Sequence, residues 1–298
     1  MVKDKAYFFW VGVLALQFST VHAQSPQQII QQAVNSERAA DQNDHSNWIY
    51  LEEIHKPKEH TLQWVAATQV GDVPRALEKN EQKLPEAQQR DLVQGFLHDS
   101  RAQKKQLSEA NHDNQQLDDL LKLLPVAFIW TQTGTTATNT TLHFEPAPNF
   151  HPPTREARVF STMTGDLVVD NQQHRIGRMS GHLMHDVTFG GGLLGKLKER
   201  SSFSLQQDQV GPSLWQLTSF HVHLEGNALI FKSISLQQDD DRSSFQLEPA
   251  TTTLDQAATL VMKQPEESGC KVGSAESGPA SEAQCGDKQL TNATPLKP

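Results

Sequence analysis

Residues 214–236 read LWQLTSFHVHLEGNALIFKSISL, and the pattern of apolar residues in this stretch is the clearest indication of a β-rich fold. In its first half, Phe220 and Val222 lie on one side of an extended chain and Trp215 on the other, because side chains alternate along a strand. Residues 228–236 alternate in the same way after a short turn. The pattern predicts two neighbouring strands that are apolar on both sides for part of their length, so that one face needs a cover and the other can line a cavity.

Segments of the same kind continue on both sides of this pair. Short apolar or β-branched runs, separated by turn residues, recur from residue 126 to 247, and their regular spacing predicts an antiparallel meander. The predicted strands are residues 128–132, 141–145, 158–163, 167–170, 175–179, 183–189, 203–207, 214–224, 228–236 and 245–247.

The sequence of the N-terminal part predicts a helix followed by a β-hairpin. Ser25 supplies a helix cap and Pro26 a first-turn proline, so residues 26–42 are expected to be helical. Residues 48–53 and 61–68 are rich in aromatic and β-branched side chains and predict paired strands, followed by a shorter strand at residues 74–78.

Two segments differ from this β-rich pattern. Residues 85–124 are almost wholly polar between an early and a late apolar patch, which predicts a helical insertion of two helices with a break near residues 111–114. Residues 249–298 are rich in Thr, Ala, Ser, Glu and Pro, with one or two helical turns expected at 254–262. We expect this tail to be disordered, because it buries too little apolar surface to offset the entropy of ordering. One domain is therefore predicted over residues 24–248.

The first 23 residues have the order of a secretory leader. Lys3 and Lys5 precede a short apolar run, and a small-residue exit follows, so cleavage is expected before Gln24 and the mature chain is expected in the periplasm or outside the cell. No transmembrane segment is expected in the mature chain. A net charge of −9 without a basic block argues against nucleic-acid binding. In such a compartment, Cys270 and Cys285 are expected to form a disulfide with each other.

Residues 190–196, GGGLLGK, match the glycine and lysine spacing of a phosphate-binding loop. The Ser or Thr that should follow the lysine is replaced by Leu197, and the flanking residues predict strands, so a glycine-rich bend is the favoured interpretation. The acidic run of residues 239–241 lacks the ligand spacing of a calcium loop and is interpreted as a solvated turn.

No catalytic motif stands out, and we expect neither an enzyme nor a bound cofactor. The 13 histidines include His221 and His223, which lie two apart on a predicted strand and therefore share a face, as metal ligands do. These two residues are the candidate metal ligands if the chain binds a metal. A metal-dependent hydrolase built on such histidine pairs is the least favoured of the alternatives.

The stretch from residue 144 to 203 resembles a group of bacterial envelope proteins whose fold is similar to that of the LolA and LolB lipoprotein-sorting proteins. The resemblance extends over residues 26–248. The residues that carry it are Phe144-Glu145-Pro146, Phe150-His151-Pro152-Pro153, Met163-Thr164-Gly165-Asp166-Leu167-Val168-Val169-Asp170, Arg175-Ile176, Arg178-Met179, Val187-Thr188-Phe189-Gly190 and Leu194-Gly195.

The resemblance implies an α+β fold, namely a curved, half-open antiparallel β-barrel capped by an N-terminal helix and the helical insertion. It also implies a periplasmic binding or carrier protein for a lipid, a lipoprotein acyl chain or another apolar ligand. The alternative is a non-catalytic assembly module of the cell envelope, with a partner protein in the periplasm or outer membrane. Large apolar residues on predicted strands are the expected ligand contacts: Trp64, Trp130, Phe144, Val169, Ile176, Val187, Phe189, Phe220 and Phe231.

Overall fold

The computed structural model describes residues 24–189, 195–228 and 237–266. The helices are α1 (Pro26–Asn43), α2 (Glu86–His98), α3 (Ser100–Leu121), α4 (Leu124–Ala127), the 3-10 helix η1 (Glu156–Thr162) and α5 (Leu254–Met262). Helix α1 begins where the sequence predicts it, because Ser25 and Gln28 form a capping box in which each side chain accepts a hydrogen bond from the other residue's backbone N–H.

The strands are β1 (Asn47–Lys56), β2 (Glu59–Thr68), β3 (Gly71–Lys79), β4 (Gln82–Lys83), β5 (Phe128–Thr135), β6 (Asn139–Pro146), β7 (Met163–Asp170), β8 (Ile176–Leu183), β9 (Val187–Phe189), β10 (Gly195–Leu197), β11 (Ser202–Gly211), β12 (Leu214–His223), β13 (Gly226–Ala228) and β14 (Gln237–Glu248). Within the described residues, 11 of them form one antiparallel sheet in the order β4-β3-β2-β1-β14-β12-β11-β8-β7-β6-β5. The others form a small sheet in the order β13-β10-β9.

The large sheet is not closed, since β4 and β5 are its two edges. The N-terminal hairpin joins the meander through β14, which pairs with β1 on one side and with β12 on the other. The fold is therefore α+β, with a curved and open antiparallel sheet accompanied by an N-terminal helix and further helices. The predicted fold class is confirmed.

Direct cross-strand partners define the two faces of this sheet, because paired side chains lie on the same side. One row of direct cross-strand partners has no register shift between its members. It consists of His60, His55, Asp239, His221, Ser204, Ser180, Asp166 and His143. Leu51 shares this side, and α5 packs on it against β2 and β3. We call this side the α5 face. Leu142 and Leu167 lie on the opposite side, which α1 covers at β5, β7 and β8, and we call it the α1 face.

The helices thus cover opposite faces at the two ends of the sheet. The first core lies on the α1 face of β5 to β8, where α1, α4 and η1 contribute Ile30, Leu124 and Phe160. The second core lies on the α5 face of β1 to β3, where α2 and α5 contribute Val93 and Val261. A small third cluster of Trp48, Tyr50 and Val65 occupies the α1 face of β1 and β2.

Helix α3 links the two ends of the molecule. Near its start, the Gln106 side chain bonds the backbone N–H and the carbonyl of Asp72 on β3. Near its end, Leu120 and Leu121 pack against the first core, and Asp118 accepts a hydrogen bond from Arg38 of α1 at 2.7 Å. The helix has no buried residue, in keeping with its polar sequence.

Two local predictions were wrong. Residues 158–163 were predicted as a strand, but most of them form η1, in which the neighbours Val159 and Phe160 are both buried instead of alternating. The break in the insertion was expected near residues 111–114. It lies at Asp99, whose side chain caps α3 by accepting hydrogen bonds from the N–H groups of Arg101 and Ala102.

The segment after β14 is folded further than its composition suggests. Helix α5 carries Ala257, Ala258 and Val261 into the second core. The buried guanidinium of Arg75 on β3 donates hydrogen bonds to the carbonyls of Val261, Met262 and Gln264, and so holds the carboxyl end of this helix. The ordered part of the chain therefore continues past residue 249, to the last described residue.

Candidate functional site

Most of the predicted ligand contacts lie in the two large cores. The first core contains Trp130, Phe144, Val169, Ile176, Val187 and Phe189, and the second contains Trp64. Both indoles have protein partners, since Trp130 donates to the Leu124 carbonyl at 3.1 Å and Trp64 to the Pro265 carbonyl at 2.9 Å. These side chains therefore fill space between the sheet and the protein's own helices.

Aromatic rings fill the α1 face at the β5–β8 end. The ring centroid of Phe128 lies 4.7 Å from that of Phe144 and 5.2 Å from that of Phe160, and Trp130 lies 5.4 Å from Phe144. Centroid distances of this size are those of aromatic pairs in direct contact. This end of the sheet is a packed core.

The middle of the α1 face is different. Here Phe220 pairs directly with Leu205, and Val222 with Phe203, and we call these four residues the central patch. Phe203, Leu205 and Phe220 are only half-buried, although all three are large and apolar. Among the described residues, the helices pack mainly against the strands at the two ends of the sheet, and Phe203 and Leu205 lie at the edge of the first core. Of the predicted ligand contacts that the structure describes, Phe220 is the one that lies here.

A depression of about 310 Å³ lies on the same face, over β1 to β3. The row Leu205, Phe220, Asp240, Ile54 and Thr61 runs directly across five neighbouring strands and leads from the patch into it. Its lining is mixed, with Ile54, Pro74, Ala76 and Leu92 beside Thr61, Gln63 and Lys79. The α1 face thus offers an apolar surface that ends at a polar depression.

A buried charge cluster separates the patch from this depression. Arg242 donates to Glu52 at 3.0 Å and to Asp240 at 2.9 Å, and its guanidinium carbon lies 5.2 Å from the centre of the Tyr50 ring. Gln63 donates to the second oxygen of Glu52 at 2.6 Å. Two carboxylates and one guanidinium therefore share a site of low solvent access.

Burial dominates the electrostatics of this cluster. Removal from water raises the pKa of Glu52 above its usual range, although Arg242 opposes the shift. Burial likewise raises the pKa of the Tyr50 hydroxyl. For Arg242, burial lowers the pKa, but Tyr50 and the two carboxylates outweigh it and raise the pKa overall. The cluster is a tightly held ionic contact between β1 and β14.

The acidic run 239–241 does not form the predicted solvated turn. It belongs to β14, where alternation puts Asp239 and Asp241 on the α5 face and buries Asp240 beside Arg242. The spacing of Asp240 and Arg242, two residues apart, is the sequence signal for this contact. Only the partner strand identifies Glu52 as its third member.

The candidate metal ligands His221 and His223 do not converge. His221 lies 3.1 Å from Asp241, and His223 lies 3.6 Å from Glu225, so each histidine meets a different acid. The histidines that do meet at one point are His55 and His60, which the sequence left outside its predicted strands.

Several predictions concern residues outside the described ranges. They are the leader 1–23, Phe231, the glycines at 190–194 and the pairing of Cys270 with Cys285. Of the phosphate-loop motif, Gly195 and Lys196 are described, and they begin β10 rather than a helix. Lys196 also pairs with Asp186.

Comparisons with known proteins add little to this picture. No family model matches the chain, and no curated protein matches it. The chain is similar to the crystal structure of a DUF1329 family protein from Desulfovibrio piger, with 11% identity and a TM-score of 0.29, over 80% of this chain and 100% of that one. A TM-score this low supports no conclusion about shared fold or function. Within the described residues, no helix has the length and hydropathy needed to span a bilayer.

Proposed function

We propose that the protein is a non-catalytic binding protein of the cell envelope that holds the acyl chain of a lipid or lipoprotein against the central patch. The observation that carries this proposal is the half-buried apolar surface of Phe203, Leu205 and Phe220 in the middle of the α1 face. The two large cores lie on β5 to β8 and on β1 to β3, so the central patch between them is where an apolar ligand gains most from contact.

The expected binding energy comes from removing methylene groups from water. Each buried methylene contributes about 0.8 kcal/mol, so a chain segment of several methylenes on the patch is enough for a stable complex. The polar depression beside the patch suits the head group of such a ligand, since Thr61, Gln63 and Lys79 offer hydrogen-bond donors there.

The proposed binding surface differs from the one that the sequence predicted. A ligand on the central patch meets Phe220 from the predicted set, together with Phe203 and Leu205, which the sequence did not single out. The remaining described members of the predicted set would lie behind it, in the cores.

A second candidate function is the assembly module. It is favoured by the filled cores at both ends of the sheet, because a protein that only holds partners together needs no interior space. In this case, the central patch would receive an apolar segment of a partner protein. The histidine pair predicted from the sequence does not favour the hydrolase, since His221 and His223 pair with separate acids.

The experiment is a lipid-binding measurement on Phe220→Asn, with Ile129→Asn as the matched control. Ile129 is also apolar and is 52% exposed, but it lies on the α5 face of β5. We expect the parent protein and Ile129→Asn to bind a fluorescent fatty acid, and Phe220→Asn to bind it about tenfold more weakly. Far-UV circular dichroism checks that each variant is folded.

Native mass spectrometry of protein taken from its own periplasm provides a second test. A bound lipid supports the carrier. A parent protein that carries no lipid and takes up no fatty acid contradicts it, as does equal binding by both variants. A stoichiometric protein partner that is lost in Phe220→Asn would favour the assembly module instead.

Export is part of this proposal, and it has its own test. The expected leader ends at residue 23, and α1 starts three residues later with its cap at Ser25. N-terminal sequencing of the protein from a periplasmic fraction should therefore begin at Gln24. A chain that keeps Met1 and stays with the cytoplasmic fraction would contradict export.

A further inference from the structure

The β1–β2 hairpin brings together three side chains that the central patch does not use. Pro57 and Lys58 form a two-residue turn, so His55 on β1 and His60 on β2 become direct cross-strand partners. Glu53 lies on the same α5 face, two residues before His55. All three side chains are partly open to solvent, with exposed fractions of 47% for Glu53, 52% for His55 and 20% for His60.

Their ligand atoms converge on one point. His60 Nε2 lies 3.0 Å from Glu53 Oε1, and His55 Nε2 lies 3.8 Å from the same oxygen. One ligand atom from each of the three residues lies within 4.8 Å of the others. The two imidazole rings are stacked, with centroids 4.0 Å apart and an angle of 12° between the planes, so both direct a nitrogen towards the carboxylate.

We propose that Glu53, His55 and His60 form a binding site for a divalent transition-metal ion of the Zn²⁺ type. Two imidazole nitrogens and one carboxylate oxygen are a ligand set that such ions accept. Bonds of about 2.0–2.1 Å put neighbouring ligand atoms of a tetrahedral site about 3.3 Å apart. The His60–Glu53 distance is already close to this value, and a small tilt of the exposed His55 ring brings in the third ligand.

The surroundings supply further negative charge and an open coordination position. Asp239 is the direct partner of His55 on β14, and it is exposed on the same face. The fourth position of the metal would be open to water. The hairpin fixes the register of His55 and His60, so the ligands are positioned before the metal arrives, which lowers the entropic cost of binding.

The test is a Zn²⁺ titration of metal-stripped protein that carries no histidine tag. Isothermal titration calorimetry of the parent protein should give one equivalent of bound Zn²⁺. His55→Gln and His60→Gln should each weaken binding by about tenfold or more, because either change leaves two protein ligands. The double variant His221→Gln/His223→Gln, which removes two histidines from the same face, should bind like the parent.

A thermal readout distinguishes this site from general surface binding. Zn²⁺ should raise the melting temperature of the parent and of the His221→Gln/His223→Gln control, since a ligand that binds the folded state stabilises it. Neither His55→Gln nor His60→Gln should show this rise. No binding by the parent, or equal binding by the parent and both single variants, would overturn the proposal. The outcome is independent of fatty-acid uptake, because the metal site and the central patch lie on opposite faces.

Discussion

At the scale of single residues, close packing between β7 and β8 depends on two glycines. Gly165 and Gly181 are direct cross-strand partners on the α1 face, and the rings of Phe144 and Phe203 lie over them. A Cβ atom on Gly165 would lie 2.0 Å from the Ser180 carbonyl oxygen and 2.8 Å from the Phe144 ring. Only glycine therefore lets these strands and rings approach as they do.

We expect Gly165→Ala to destabilise the protein by about 1–3 kcal/mol, because the added methyl forces backbone atoms apart. Urea unfolding followed by circular dichroism measures this loss. Gly95→Ala is the matched control, since no atom lies within 4 Å of the position of its Cβ and the residue is on an exposed part of α2. A loss of stability no larger in Gly165→Ala than in the control would contradict the packing argument.

The charge cluster around Arg242 makes a prediction about pH. Burial raises the pKa of Glu52, so the folded protein holds this proton more tightly than the unfolded chain does. Protonated Glu52 therefore contributes to the free energy of unfolding at low pH. This contribution is lost as the pH rises above the pKa of an unperturbed glutamate. Replacing Glu52 with Gln removes the titrating proton and with it this loss.

Compared with the parent, Glu52→Gln should lose less stability as the pH rises from 4 to 7, because its side chain has no proton to release. Unfolding free energies at several pH values, in buffer with a chelator, provide the measurement. Parallel slopes for the parent and Glu52→Gln would show that Glu52 titrates alike in the folded and unfolded chains.

At the scale of elements, α5 forms part of the fold although it lies in a segment of disordered composition. It closes the second core over Leu51, Trp64 and Val73, and Arg75 caps its carboxyl end. Thr253 and Gln256 form a capping box at its start. A capping box and a few apolar residues are enough to form this helix, because its apolar side chains pack into the second core.

A chain that ends at residue 248 should therefore be destabilised or fail to fold, since it exposes the second core and leaves Arg75 without its carbonyl partners. A chain that ends at residue 266 should keep the melting temperature of the chain that ends at residue 298. Thermal unfolding of the two truncated proteins makes the comparison. Equal melting temperatures for both would mean that α5 contributes nothing to stability.

The elements also show what sequence patterns can and cannot predict. Alternation predicted most strands of the meander, because an amphipathic strand has a period of two whatever its partners are. It failed at η1, where Val159 and Phe160 are adjacent and buried together. The aromatic and β-branched composition, for its part, ended the predicted β1 at residue 53 and so missed the pairing of His55 with His60, because the turn at Pro57 sets a register that composition does not reveal.

The binding surface was harder to predict than the fold. Size and strand position selected Trp130 and Phe144 as ligand contacts, yet these same properties favour a place in the core. Phe203 and Phe220 have similar side chains, but among the described residues they lie beside the helix-covered part of the α1 face and are half-buried. That difference depends on which strands α1 and α5 cover, which is a property of tertiary packing.

At the scale of the whole molecule, one continuous sheet connects cores that lie on opposite faces. Strand β14 pairs with both β1 and β12, so the hairpin of the second core and the meander of the first share a hydrogen-bonded boundary. Helix α3 provides a second connection, from Asp72 to Asp118 and Arg38. The two ends are therefore mechanically coupled.

We expect a single cooperative unfolding transition for residues 24–266, because neither core can separate without breaking β14 from a neighbour. Native-state hydrogen exchange tests this most directly. The slowest amides of β2 in the second core and of β6 in the first should exchange with the same opening free energy. Two plateaus that differ by several kcal/mol would show two independently folding units.

The position of β14 also has a consequence for timing. Asn47 on β1 pairs with Glu248 on β14, which lies roughly 200 residues later in the chain, so this pairing cannot form until β14 has been synthesised. During synthesis, the large sheet therefore stays incomplete until nearly the entire polypeptide has emerged. The last described strand to be synthesised is thus the one that joins the hairpin to the meander, and the two parts cannot be hydrogen-bonded to each other before it is in place.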